Sequence, residues 1–225
     1  MIFKKITSLL LLASGLFAMT VNASPLNLDA SMQSKLQQLG ARAPGLSPKA
    51  LQLGLEAYNK GRQEGLDNQH ILTIIDYTKP STARRLWVLD LNNDSVLLNT
   101  YVAHGQNSGY NYADSFSDRP GSLESSLGVF LTESTYQGKH GYSLKLKGLE
   151  KGFNDRAEAR DIVVHRAYYA TAQFAQQHGR LGRSWGCFAV SPAVADSLIH
   201  TIKNGTLVFA YYPDPSWLSK SQFLS

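Results

Sequence analysis

The spacing of apolar residues changes twice along the chain. Between Ser47 and Gly61, Leu51, Leu55 and Tyr58 recur at helical spacing and share a face. Ser47 supplies an N-cap, Pro48 fits the first helical position and Gly61 is the predicted stop. The polar stretch 24–46 before it predicts one short helix, over 29–39. From Ile71 the spacing falls to two. Residues 71–77, 85–91 and 95–103 read as strands, the last two joined by the tight Asn92-Asn93-Asp94 turn. A long Gly/Ser/Asn/Asp-rich loop covers 104–127, and further strands are predicted at 128–136, 142–146, 161–165 and 206–212. Helical spacing returns at 169–177 and at 191–203, where Ser191-Pro192 opens the helix and Asn204-Gly205 ends it. Many short strands with few helices predict a mainly β (α+β) fold, a β-sandwich with a few short helices, and not a βαβ architecture.

Composition narrows the class. At 225 residues, 43% apolar, the chain suits one globular domain with a short extension. The net charge of +5 is spread, with no dense Lys/Arg run, so no nucleic-acid partner is expected. The first residues read as an export signal. Lys4 and Lys5 precede an apolar run from Ile6 to Ala18, and Val21-Asn22-Ala23 offers a cleavage site. That run is short of the ~20 residues a membrane span needs. The expected organisation is a signal at 1–23, an extension with one or two helices at 24–69, a catalytic domain at 70–214 and a tail at 215–225. The expected location is periplasmic or secreted, in the cell envelope, with no stable membrane insertion after cleavage.

An exported chain normally uses its cysteines in pairs. This one has a single cysteine, Cys187. A lone thiol is either a small buried hydrophobe or a reactive group. Its setting favours reactivity. The apolar run Ile162-Val163-Val164 ends in His165, and 187 − 165 = 22 positions later a glycine-rich turn delivers Cys187. A free thiol ionises near ~8.5, so an adjacent imidazole that takes its proton converts the sulfur into an acyl-transfer nucleophile. The amides of Gly186 and Cys187 are candidate oxyanion donors. Ser184 is a candidate for bracing the turn or orienting a reactant, Arg183 for holding a substrate carboxylate, and Trp185 for walling the pocket. Taken singly, each of these residues has a plain structural reading as well: core thiol, strand-end histidine, surface cation or packing aromatic.

Taken together, Gly179-Arg180-Leu181-Gly182-Arg183-Ser184-Trp185-Gly186-Cys187, preceded by Val164-His165, resembles the active-site motif of YkuD-type L,D-transpeptidases. It is most similar to a subgroup with a Gly-Arg-x-Gly-Arg-Ser-x-Gly-Cys turn. Val102-Ala103-His104-Gly105, Ser125-Ser126-Leu127-Gly128 and Gly138-Lys139-His140-Gly141 also resemble that subgroup. The resemblance spans about 71–212. It implies a sandwich-like catalytic domain, Cys187 as nucleophile, His165 as base, peptidoglycan stem peptides as partners, and no metal or organic cofactor. The implied reaction is formation of a Cys thioester with a stem peptide and transfer to an amine. Water as acceptor would give carboxypeptidase activity. Trp185 stands where many members have His, and Phe188-Ala189 where many have a polar residue.

Two other readings remain open: a different wall cysteine peptidase, and an inactive wall-binding domain. The 38 residues after Cys187 (225 − 187) contain no Arg, unlike the sortase arrangement. His140 and Tyr136 are candidates for lining the substrate cleft. His104, His140 and His178 show no tight metal-ligand spacing, so no metal site is expected. His178 reads as a cation capping a helix C-terminus.

Overall fold

The computed structural model describes residues 30–67 and 69–224. The expected export signal lies outside them. Two helices come first, α1 (Ala30–Arg42) and α2 (Pro48–Gln63). Eight strands follow: β1 (Ile71–Asp76), β2 (Leu86–Asp90), β3 (Ser95–Thr100), β4 (Gly128–Gly138), β5 (Gly141–Gly148), β6 (Val163–Arg166), β7 (Phe188–Val190) and β8 (Leu207–Tyr211). Between them stand α3 (Ala172–His178), α4 (Pro192–Ile202) and, last, α5 (Pro215–Leu218). None of the described helices is long and apolar enough to cross a membrane.

The α+β fold of sheet and short helices expected from the strand spacing is present. The strands form one sheet in the order β3-β2-β1-β8-β4-β5-β6-β7. Pairs β1/β8 and β6/β7 are parallel and the rest antiparallel. The sheet curls over itself. Phe130 on β4 and Phe188 on β7 meet edge to face at 5.2 Å, although two strands separate theirs in the sheet. At ~4.8 Å per strand a flat sheet would hold them about 14 Å apart. The bend occurs along β4, the longest strand, whose register shifts between Thr132 and Thr135. Thr132 Oγ1 there donates to the Ile202 carbonyl (2.6 Å) and accepts from the Thr206 amide (2.9 Å), tying the bend to the end of α4.

Both faces of β1 and β8 are covered, as their near-continuous burial requires. Helix α2 supplies one cover. Ser47 caps it, accepting from the Ala50 amide (3.4 Å). Gly61, the predicted stop, lies inside the helix. A Cβ at Gly61 would come within 2.6 Å of Leu207 Cδ1, and one at Gly54 within 2.8 Å of Ile74 Cδ1. These glycines let the helix sit close on the sheet; Gly65, with φ 74°, follows its end. Helix α1 extends the same core through Leu39 and holds the 92–94 turn. Lys35 pairs with Asp94 (2.8 Å), and Arg42 donates to the Asp94 carbonyl (2.7 Å).

Past β8, Asp214 caps α5 through the Trp217 amide (2.7 Å) and the Trp217 ring enters the core. Its Nε1 donates to Glu150 Oε2 (2.9 Å), and Glu150 Oε1 accepts from the Val129 amide (2.8 Å). The Phe188-Ala189-Val190 run after the cysteine, short for a strand in isolation, is paired in the sheet as β7. That pairing positions the chemistry.

Candidate active site

In the β6/β7 pair, His165 lies opposite Ala189 and Val164 opposite Phe188. Side chains alternate between faces along a strand. Val164 and Phe188 join the main core, so His165 and Ala189 share the other face. Cys187 immediately precedes β7, so the pairing sets it at the entry of the strand that runs beside the one carrying His165.

His165 is 3% exposed. Its Nδ1 lies 2.8 Å from the Arg166 carbonyl. That carbonyl can only accept, so Nδ1 carries the proton and Nε2 is left as the basic nitrogen. The His140 ring stacks on it, with centroids 4.3 Å apart and planes 25° apart. Burial holds His165 below its ordinary value of 6.5; the Arg166 carbonyl pulls upward, and His140 and Lys139 push further down. The ring is therefore neutral at neutral pH.

Cys187 is half-buried and free. Its thiol donates to the Asp161 carbonyl (3.4 Å). No hydrogen bond joins Cys187 and His165 among the described residues; the thiol keeps its proton and points it at the Asp161 carbonyl. Burial raises the thiol above its ordinary value of 9.0, against the pull of the Val163 amide, Arg160 and Lys139. Thiol and imidazole are both uncharged at rest.

The turn before Cys187 is closed by Ser184. Its Oγ donates to the Cys187 carbonyl (2.7 Å) and accepts from the Gly186 amide (3.1 Å). Ser184 therefore braces the turn. The Gly186 amide, expected as an oxyanion donor, is already engaged, which leaves the Cys187 amide as the candidate. Gly186 has φ 120°, and a Cβ there would lie 2.7 Å from the Glu124 carbonyl oxygen. Backbone strain and this contact both select glycine.

The other expected site residues separate. Arg183 Nη1 donates to the carbonyls of Gln106 (2.8 Å) and Gly109 (3.0 Å), fastening the long loop. Trp185 is 67% exposed, with Lys139 Nζ 5.5 Å from its ring centre. His140 is brought directly onto His165. Tyr136 stays out on the β4–β5 hairpin, its ring near Lys145 Nζ at 5.9 Å, and makes no ring contact with His165 among the described residues. His178 does cap α3, its Nδ1 3.0 Å from the Phe174 carbonyl. Among the described residues no cluster suited to a metal ion occurs.

A groove of about 420 Å³ opens beside His140, lined by Lys139, Arg166, Tyr168, Tyr169 and Pro192 among others. The sequence reading includes Lys139 in a motif but gives it no role, and gives Arg166 none either, because surface cations carry no periodic signal. It also missed Arg160 and Asp161. Their one cue was two opposite charges set directly against an apolar strand.

A family profile described as L,D-transpeptidase catalytic domain matches residues 42–211. No curated protein matches. Among solved structures, the chain is similar to an L,D-transpeptidase from Mycobacterium smegmatis, at 13% identity over 64% of this chain and 59% of that one, with a TM-score of 0.41. It is also similar to one from Xylanimonas cellulosilytica (18%, covering 80% and 91%, TM-score 0.37). A third comes from Stackebrandtia nassauensis (15%, covering 82% and 77%, TM-score 0.37). The chain spans about three-fifths of the length of the first of these.

Proposed function

Because this chain belongs to the L,D-transpeptidase catalytic domain family, we propose that it is a cysteine acyltransferase acting on peptidoglycan stem peptides outside the inner membrane. The observation that supports the reading is the β6/β7 pairing, which runs the strand carrying His165 beside the one that Cys187 enters, with Nδ1 of the ring on the Arg166 carbonyl so that Nε2 is left as the base.

The thiol leaves the Asp161 carbonyl by rotation about its Cα–Cβ bond and passes its proton to His165 Nε2. The sulfur attacks the carbonyl of the third stem residue, often meso-diaminopimelate, and the Cys187 amide faces the developing oxyanion. The bond to the terminal D-alanine breaks, and the imidazolium returns its proton to the departing amine. An acceptor amine then gives a proton to His165, attacks the thioester and releases the sulfur. Water in that place yields a carboxypeptidase product. Lys139, which lines the groove, suits a carboxylate-bearing stem; Arg166 beside it is paired with Asp196 (3.0 Å).

One observation supports a second reading, an inactive wall-binding domain: the thiol is protonated and bonded to a carbonyl. Intact-mass measurement with a carbapenem, whose lactam carbonyl stands in for the D-alanine amide, separates the two. An adduct lost in Cys187→Ala, together with release of D-alanine and a 3→3 cross-link from tetrapeptide donors, is expected. A folded protein that forms no adduct would sink the enzymatic reading.

A further inference from the structure

Beside the nucleophile turn lies a buried guanidinium that the chemistry above leaves without a role. The Arg160 side chain is 4% exposed. Its Nη1 donates to the Ser117 carbonyl (2.8 Å) and Ser126 Oγ (2.6 Å), and its Nη2 to the Glu124 carbonyl (2.6 Å) and Ser122 Oγ (3.2 Å). Asp118 Oδ1 stands 3.6 Å from Nη1. Every one of these partners belongs to a single loop, 117–126. On its other side the guanidinium faces the turn. A Cβ built on Gly186 would lie 3.2 Å from Nη2 and 2.7 Å from the Glu124 carbonyl oxygen that Nη2 holds.

We propose that Arg160 is a positioning residue for the reaction: it clamps the 117–126 loop against the Gly186–Cys187 turn and sets its charge beside the sulfur as the thiolate forms. A planar fork reaches four acceptors at once, which a lysine ammonium on a flexible stem does not. A largely buried charge is weakly screened, so it acts on the sulfur more strongly than a surface cation would. Several groups bear on that sulfur. Arg160 and Lys139 favour the thiolate, Asp161 opposes it, and the Tyr77 and Tyr169 phenols couple to it. Asp118 offsets part of the Arg160 charge.

The inference rests on Cys187 being the nucleophile, and its test reads the thiol alone. The full chain and its Arg160→Gln, Arg160→Lys and Asp118→Asn variants are alkylated with iodoacetamide across pH, with melting followed by circular dichroism. In alkylation the sulfur displaces iodide and its proton goes to solvent. Arg160→Gln should raise the alkylation midpoint by about one pH unit, roughly tenfold slower at neutral pH. Arg160→Lys keeps the charge but loses the fork, and should raise it less while lowering the melting temperature similarly. Asp118→Asn should lower the midpoint, an effect that a merely structural arginine does not predict. A folded Arg160→Gln with an unmoved midpoint overturns the proposal. If neither Arg160 variant folds, Asp118→Asn decides: a lowered midpoint supports it, and an unmoved or raised one overturns it. A protein whose midpoints move as expected but which forms no carbapenem adduct keeps the clamp and loses the transpeptidase reading.

Discussion

At the scale of single residues, the pair of Cys187 and His165 is uncharged at rest, and this sets its pH behaviour. Burial lowers the imidazole from 6.5 and raises the thiol from 9.0. The base is competent once His165 has lost its proton, so carbapenem acylation should climb to a plateau below pH 6.5. It should rise again only above pH 9, where the thiol ionises unaided. His165→Ala should remove the acid limb and plateau and slow acylation at least ~100-fold at neutral pH. Rates measured across pH 4–10 check this; one rise through the thiol region, in both proteins, would speak against the dyad. The residue types behind this chemistry were legible in the chain, since a lone thiol, a glycine before it and a strand-end histidine carry their own chemical signatures. The bonds that assign their roles were not. Ser184 braces a turn, Arg183 fastens a loop, and the orienting partner of His165 is a backbone carbonyl, to which any residue type at 166 could contribute.

At the scale of elements, the segment 104–127 reads as a loop but is wound firmly against the site. Gly105 bridges to Ser184 and the Gly105 amide donates to Ser125 Oγ (3.0 Å). At its root the buried Arg85 donates to the Val102 carbonyl (3.0 Å) and to His104 Nδ1 (2.6 Å). Nδ1 accepts that bond, so His104 must stay neutral, and burial with Arg85 beside it pushes it down to about 3. The unfolded chain takes up this proton near pH 6.5 and the folded protein only near pH 3. Stability from this site is therefore complete above pH 6.5 and is lost as pH falls towards 3, by a few kcal/mol, on the order of 1.4 kcal/mol per unit. Melting temperatures between pH 7 and 3 should drop steeply, and His104→Gln, which cannot be protonated, should flatten that drop. An equal drop in both would remove His104 from the account. Sequence pattern indicated where this loop starts and ends, because turn residues are local signals. It did not reveal the buried Arg85–His104 pair, because nothing in a local window separates a buried arginine from a solvated one.

At the scale of the whole molecule, both flanks of the sheet share its core: α1 and α2 before β1, and Trp217 after β8. Trp217→Ala should cost about 3–5 kcal/mol through the cavity alone. Trp217→Phe should cost less, about 1–3 kcal/mol, chiefly from leaving Glu150 Oε2 without its donor. Chemical denaturation of the two variants checks the order; equal and negligible losses would mean the C-terminal segment is only draped on the surface. By itself the chain determined most of its elements and N-caps, its turns and its reactive residue types, because each follows from periodicity, φ restriction or side-chain chemistry within a few neighbours. It pointed to a pairing of His165 with Cys187 through their chemistry and the resemblance of the motif. Tertiary structure alone decided that one sheet bends at β4 to bring Phe130 onto Phe188, that the three residues after the cysteine become β7, and that Arg160 and Asp118 are buried beside the nucleophile turn. Those outcomes depend on contacts between residues tens of positions apart, and such contacts leave no local periodicity along the chain.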